Sequence, residues 1–190
     1  MKIKIIKMKC VQSTNNIALK LIKKKKTNPT LITSIVQTNG KGTMGKKWIS
    51  KKGNLFISIF FEIKEKKINF KQYALLNAYL FKDIITKFTK IKIDIKWPND
   101  LLIKKEKICG ILQEIIHYGA KTYLIVGVGI NTNISPVIKN YKVTSLNNVL
   151  NKKIDNSKLL RETKKEYEKF IQQIEKNNFT ELKRKILKLK

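Results

Sequence analysis

Apolar residues come in blocks whose spacing changes along the chain. Residues 2–11 alternate lysine with isoleucine, a period-two pattern that predicts a strand. Ser13 or Thr14 then caps a helix with Ile17, Ala18, Leu21 and Ile22 on one face. Pro29 ends the connection, and Thr30–Val36 reads as a second strand. Leu55–Ile63 is apolar on both faces and so predicts a central strand. Tyr73, Leu76, Leu80, Ile84 and Phe88 recur at three and four, which predicts a long helix over 70–88. Ile91–Lys96 is a short strand running into the turn Trp97-Pro98-Asn99-Asp100. Leu101–Ile103 and Ile108–Ile116 form a hairpin around Lys104–Lys107, and Thr122–Ile130 is a further strand. Residues 145–150 predict a helical turn, and two helices follow over 156–177 and 180–189. The pattern is that of an α+β fold: one sheet covered by helices on one face, in one domain over 1–190. Its core spans about 9–135 and its helical C-terminal segment about 145–190.

Composition narrows the possibilities. No run reaches the roughly 18 apolar residues of a membrane span, and the N-terminus has a strand pattern rather than that of a signal peptide. A cytoplasmic location is expected. Cys10 and Cys109 have no CxxC spacing, and His117 is the one histidine, so neither a disulfide framework nor a zinc site is expected. The formal charge of +29 is carried almost wholly by lysine, with Arg161 and Arg184 the only arginines. The lysines are dispersed, apart from the run Lys23–Lys26. Such a charge follows either from an AT-rich coding sequence or from an acidic or nucleic-acid partner.

Polar clusters interrupt the apolar runs at strand ends and turns, where functional groups concentrate. Gln37–Trp48 reads Q-T-N-G-K-G-T-M-G-K-K-W. Its glycines Gly40, Gly42 and Gly45 let backbone N–H groups approach a ligand, and its lysines suit an anion. It is not a P-loop, because Lys47 stands where a Ser or Thr would hold magnesium. Ser13-Thr14-Asn15, Lys96–Lys107 and Gly127–Asn131 are the other clusters. Singly, each has a plain structural reading as a cap, a packed turn or relief of crowding. Trp97 and Leu112 read as core. No Ser-His-Asp or Cys-His set can be assembled around His117.

Taken in order, the clusters resemble the motifs of the biotin protein ligases, the biotin–[acetyl-CoA-carboxylase] ligases. The glycine loop, G-R-G-R-x-G-R-x-W in that family, stands here as Gly40–Trp48. K-W-P-N-D is Lys96–Asp100, K-x-x-G-I-L-x-E is Lys107–Glu114, and G-x-G-I-N is Gly127–Asn131. S-T-N is Ser13-Thr14-Asn15, and S-x-x-G-N-L is Ser50–Leu55. The likeness runs from about Lys9 to about Leu187. It implies a mixed, largely antiparallel sheet of the class II aminoacyl-tRNA synthetase-like kind.

The resemblance also implies a reaction: ATP-dependent joining of biotin to a lysine of a biotin carboxyl carrier domain, through biotinyl-5′-AMP. ATP and Mg²⁺ are the implied co-substrate and ion. Biotin would be bound by Ser13, Thr14, Asn15, Gln37, Gly40, Lys41, Gly42, Thr43, Lys107 and Gly110. Trp48, Asn99, Asp100 and Asn131 would serve the nucleotide, and Asp100 also Mg²⁺. Lys107, Lys41 and Asp100 would be catalytic, while Gly127 and Gly129 would leave room for ligand. The family's loop arginines stand here as Lys41, Thr43 and Lys46, which implies a looser hold on the adenylate. No N-terminal winged helix or C-terminal SH3-like domain is expected, nor is DNA binding; a homodimer is a possible assembly. The other readings are a lipoate or octanoate ligase, a degenerate biotin binder, and a lysine-rich RNA-binding module. The R-R-x-S-G-G-G run of lipoate ligases and aromatic-interleaved basic strands are both absent.

Overall fold

A computed structural model describes residues 2–64, 68–139 and 141–187. Among these residues seven strands form one sheet: β1 Lys4–Val11, β2 Thr30–Gln37, β3 Leu55–Ile63, β4 Asp94–Lys96, β5 Asp100–Ile103, β6 Glu106–Tyr118 and β7 Lys121–Ile130. The helices are α1 Thr14–Lys23, α2 Phe70–Thr89, α3 Leu146–Leu150, α4 Asn156–Lys176 and α5 Phe179–Leu187. Residues 188 and 189 of the expected last helix lie outside the described residues. The strand order is β1-β2-β3-β7-β6-β5-β4. Only β1 and β2 run parallel; the other neighbours are antiparallel. The sheet is therefore mixed and largely antiparallel, as expected.

Burial on both faces explains the unbroken apolar runs of β3 and β7. Leu55, Ile57, Ile59, Phe61 and Ile63 face the larger core, with Tyr73 and Phe81 of α2 and Leu159 and Tyr167 of α4. Phe60 points the other way, with Ile32, Tyr123 and Ile125, against Ala18 and Ile22 of α1. Helices were expected on one face only. That holds for α2, α4 and α5, whereas α1 packs on the opposite face. It covers only part of that face and leaves the rest open beyond its N-terminus.

Two local departures bear on the site. The β5–β6 hairpin turns on Lys104 and Lys105 alone, both at positive φ (48° and 67°), so Lys107 lies in the strand rather than the turn. Trp97 is not core. It is 48% exposed and rests against Tyr79, with ring centroids 5.7 Å apart.

Asn77 ties three layers together inside the larger core. Its Nδ2 donates to the Tyr73 carbonyl at 2.9 Å and to Gln113 Oε1 at 2.6 Å, and its Oδ1 accepts from Tyr167 Oη at 2.5 Å. Burial pushes the Tyr167 phenol well above its ordinary pKa, so it stays a neutral donor. Asn77→Ala is expected to destabilise the fold by roughly 1–3 kcal/mol, because it strands the buried Tyr167 hydroxyl and takes a donor from half-buried Gln113. Urea unfolding measures this, and a loss below about 1 kcal/mol would show that the network is dispensable.

Candidate functional site

The floor of the open part of the α1 face is bare at three glycines, Gly110, Gly127 and Gly129. Ser58 of β3 pairs with Gly127 of β7, which pairs with Leu112 of β6. In the next row on that face, Phe56 pairs with Gly129 and Gly129 with Gly110. The N-terminus of α1 and the Gln37–Trp48 loop rise around this floor and form a cleft.

One end of the cleft is polar and buried. Ser13, Thr14 and Asn15 are 2–4% exposed. Ser13 takes the N-cap position, but its side chain makes no cap hydrogen bond. Thr14 donates to Gln37 Oε1 from both its backbone N–H (2.7 Å) and its hydroxyl (3.1 Å). Gln37 Nε2 donates to Ser50 Oγ at 3.0 Å. Ser58 Oγ lies 2.7 Å from Thr14 Oγ1 and also against Asn15 Oδ1. Asn15 Nδ2 donates to Glu114 Oε2 at 2.6 Å.

The other end is cationic. The loop folds as a small hairpin, with a bridge between Lys41 and Lys47 and a 3₁₀ turn over Thr43–Gly45. Gly42 N–H donates to the Lys46 carbonyl at 2.7 Å, and Trp48 N–H to the Gly40 carbonyl at 2.9 Å. Lys41, Lys46 and Lys47 line the cleft with Lys107. Lys107 Nζ is 2.7 Å from Asp100 Oδ1, and both side chains are mostly covered (15% and 20% exposed). Trp48 and Tyr141 flank that ammonium at 5.3 and 5.6 Å from their ring centroids. The Lys107 backbone is pinned as well. Its N–H donates to the Lys142 carbonyl and its carbonyl accepts from Thr144 N–H, each at 3.0 Å.

Among the expected site residues, Ser13, Thr14, Asn15, Gln37, Lys41, Gly42, Thr43, Trp48, Asn99, Lys107 and Gly110 line this cleft. Asp100 reaches it through Lys107. Asn131 lines an adjoining hollow that shares Lys47, Trp48, Lys107 and Tyr141 with the cleft. Asn99 Nδ2 spans the Ile111 carbonyl (3.2 Å) and Thr43 Oγ1 (3.4 Å), joining the W-P-N-D turn to the loop. Gly40 sits behind the wall, where a Cβ would lie 2.7 Å from Ser50 Oγ.

Gly127 and Gly129 were expected to leave room for ligand, and Gly110 to line the biotin slot. All three line the cleft. A Cβ on Gly127 would strike Asn15, and one on Gly129 or Gly110 would strike the Trp48 indole. Leu112, expected in the core, is a cleft residue. Sequence reasoning gave no role to Ser58, Glu114 or Tyr141. Ser58 carried a signal, as a hydroxyl in an otherwise apolar stretch of a central strand. Glu114 closes a quoted motif, whereas Tyr141 carried none.

A cleft with hydrogen-bonding groups at one end and lysines at the other suits an elongated acid with a polar head. The model of the Biotin/lipoate A/B protein ligase family matches residues 8–131, which hold all seven strands from within β1 to the end of β7. The bifunctional ligase/repressor BirA of Bacillus subtilis is 31% identical over 180 residues, covering 91% of this chain and 55% of the relative. BirA of Escherichia coli is 31% identical over 123 residues, covering 64% of this chain and 38% of the relative. The chain thus spans about half, or less, of the length of these relatives. A biotin protein ligase from Aquifex aeolicus, solved in complex with biotin and ATP, superposes with a TM-score of 0.78 at 30% identity, over 96% of this chain and 76% of that one. With the sheet, the cleft and the motifs all inside the matched span, the chain belongs to the biotin/lipoate A/B protein ligase family.

Proposed function

We propose that the chain carries the catalytic core of a biotin–protein ligase. The observation that supports it best is the pairing, in one cleft, of a buried polar end with a lysine-lined end. At the polar end Thr14 and Ser58 have one hydroxyl proton each, while Asn15 Oδ1 and Gln37 Oε1 both accept. With the Ser13 hydroxyl and the amide N–H groups of Asn15 and Gln37 beside them, this end offers both acceptors and donors, which favours a head group with N–H and C=O groups of its own. A ureido ring has them; the dithiolane of lipoate does not. The Aquifex aeolicus relative, in complex with biotin and ATP, supports the same assignment.

In the first step a biotin carboxylate oxygen attacks the α-phosphorus of ATP. A P–O bond forms, the α–β anhydride breaks, and pyrophosphate leaves. In the second step a carrier lysine attacks the acyl carbon, loses its proton, and AMP leaves. Both steps gather negative charge on oxygen, so the protein's work is placement and charge stabilisation. Lys107 and Lys41 face the reacting carboxylate and phosphate, with Gly42 and Thr43 on the same loop. Trp48, Asn99 and Asn131 border the nucleotide. Among the described residues no three Cys, His, Asp or Glu side chains gather as a metal site. Asp100 would give Mg²⁺ a single carboxylate, which suits an ion that arrives on the phosphates of ATP and keeps its waters. No described helix is long and apolar enough to cross a membrane. We place the reaction in the cytoplasm, on the biotin carboxyl carrier domain of a carboxylase. A homodimer would use the free edge of β1 or β4.

The test is incubation with biotin, Mg-ATP and a carrier domain, read by mass. One biotin gained by the carrier supports the reading. Pyrophosphate release with lipoate, and none with biotin, would favour the lipoate ligase instead. The +29 charge and the exposed run Lys23–Lys26 add a second expectation. Raising salt from about 50 to 500 mM should lower kcat/KM for an acidic carrier roughly tenfold, because charge steers the encounter. Adenylate formation should change little. Equal salt effects on both steps would remove the steering argument.

A further inference from the structure

Glu114 stands at the junction of the two ends of the cleft, one carboxylate oxygen serving each. Oε2 accepts from Asn15 Nδ2 at 2.6 Å, and Oε1 lies 3.9 Å from Lys41 Nζ. We propose that Glu114 is a positioning residue for substrate binding. It fixes which way the Asn15 amide faces and holds Lys41 beside the cleft until an anion arrives. This rests on the reading of the cleft as a biotin site.

The chemistry of the two groups sets the orientation. An amide has nearly the same shape after a half-turn, so packing alone does not choose between its two faces. A carboxylate only accepts, so the edge of Asn15 that meets Glu114 must be the NH₂. Its carbonyl is thereby turned to the Ser58 hydroxyl, which also lies against Thr14. Gly127 permits this, since a Cβ there would strike the Asn15 amide. Asn15 is 4% exposed, so a wrongly turned amide could not be rescued by water. The Lys41 contact is of another kind. At 3.9 Å, with the side chains 40% and 33% exposed, it contributes little to stability and breaks readily. A biotin carboxylate or a phosphate entering beside Lys41 competes for the ammonium on better terms than a loose surface pair.

The test is direct biotin binding by calorimetry without ATP, alongside thermal unfolding and pyrophosphate release. Glu114→Ala is expected to weaken biotin binding about tenfold or more, with the KM for ATP shifted less than about threefold. Asn15→Asp alone sets two carboxylates face to face and should weaken biotin binding at least as much. Adding Glu114→Gln restores a donor–acceptor pair of reversed polarity, with an oxygen still facing Ser58, and should recover most of the loss. A purely structural role would not produce that recovery. Wild-type affinity in Glu114→Ala, or no recovery in the double variant when both fold, overturns the proposal and leaves the ligase reading standing. A wild-type protein that neither binds biotin nor releases pyrophosphate overturns the ligase reading, and this proposal with it.

Discussion

Lys107→Ala is expected to lower adenylate formation by about 10²–10³-fold while the protein stays folded. Lys107 differs from the other lysines of the cleft. Lys41, Lys46 and Lys47 are exposed, and their ammonium groups carry a diffuse attraction for anions. The Lys107 side chain is only 15% exposed, its backbone is pinned on both sides, and its ammonium lies between two aromatic rings. A preorganised charge in a partly dry site needs no rearrangement as negative charge builds on the transferring oxygens, which is why its loss is expected to be costly. Truncation also leaves Asp100 as an uncompensated carboxylate where phosphates must enter, so ATP binding should weaken as well. Stability should fall by about 1–3 kcal/mol, since Asp100, only 20% exposed, loses its partner. Pyrophosphate release and thermal unfolding measured together separate the two effects. Release within about threefold of wild type would remove Lys107 from the chemistry.

Asp100 itself was expected to serve the nucleotide and Mg²⁺, yet in the ligand-free chain it neutralises Lys107. The pair explains how a lysine can sit mostly covered beside three others. On the proposed function, ATP with its ion would exchange partners here, Asp100 turning to the cation and Lys107 to the phosphate.

The fold was legible where a single physical pattern dominated. The limits of β3 and the start of α2 follow from apolar spacing, because burial on both faces and on one helical stripe leave different periods. What spacing could not show is which face an element takes. The apolar stripe of α1 resembles that of α2, and only the sheet register puts it on the opposite face. The turn at Lys104–Lys105 was hidden for another reason, as lysine is an unusual residue at positive φ. The candidate site was legible as motifs but not as contacts. Trp48 lies 62 and 81 residues from Gly110 and Gly129 in sequence, and nothing local says that an indole rests on those two glycines. Ser58 and Glu114 were missed because their partners, Thr14 and Asn15, come from a distant helix end.

That seat leads to a second large effect. Gly129→Ala should lower kcat/KM for ATP about 10²-fold, although the change adds only one methyl group. The Cβ would overlap Cε2 and Nε1 of Trp48, which belong to a rigid ring with no rotamer adjustment small enough to make room. Gly129 cannot withdraw either, because it is held between Phe56 and Gly110 in the centre of the sheet. The indole must lift, and its backbone is the return strand of the lysine hairpin. Trp48 N–H bonds Gly40, and Lys47 bridges Lys41. Lifting Trp48 therefore displaces Lys41, Thr43 and Lys46 relative to Lys107. Overpacking should also cost about 1–3 kcal/mol of stability, read by urea unfolding. Gly119→Ala is the control: its Cβ meets nothing within 4 Å at the β6–β7 turn, so its cost should be confined to roughly 1 kcal/mol of backbone strain with catalysis unchanged. A double-mutant cycle decides the cause. If the indole transmits the damage, Gly129→Ala added to Trp48→Ala should cost almost nothing further, because the ring that the methyl group strikes is already gone. Full additivity of the two losses would place the effect in the sheet itself and sever the floor glycines from the loop.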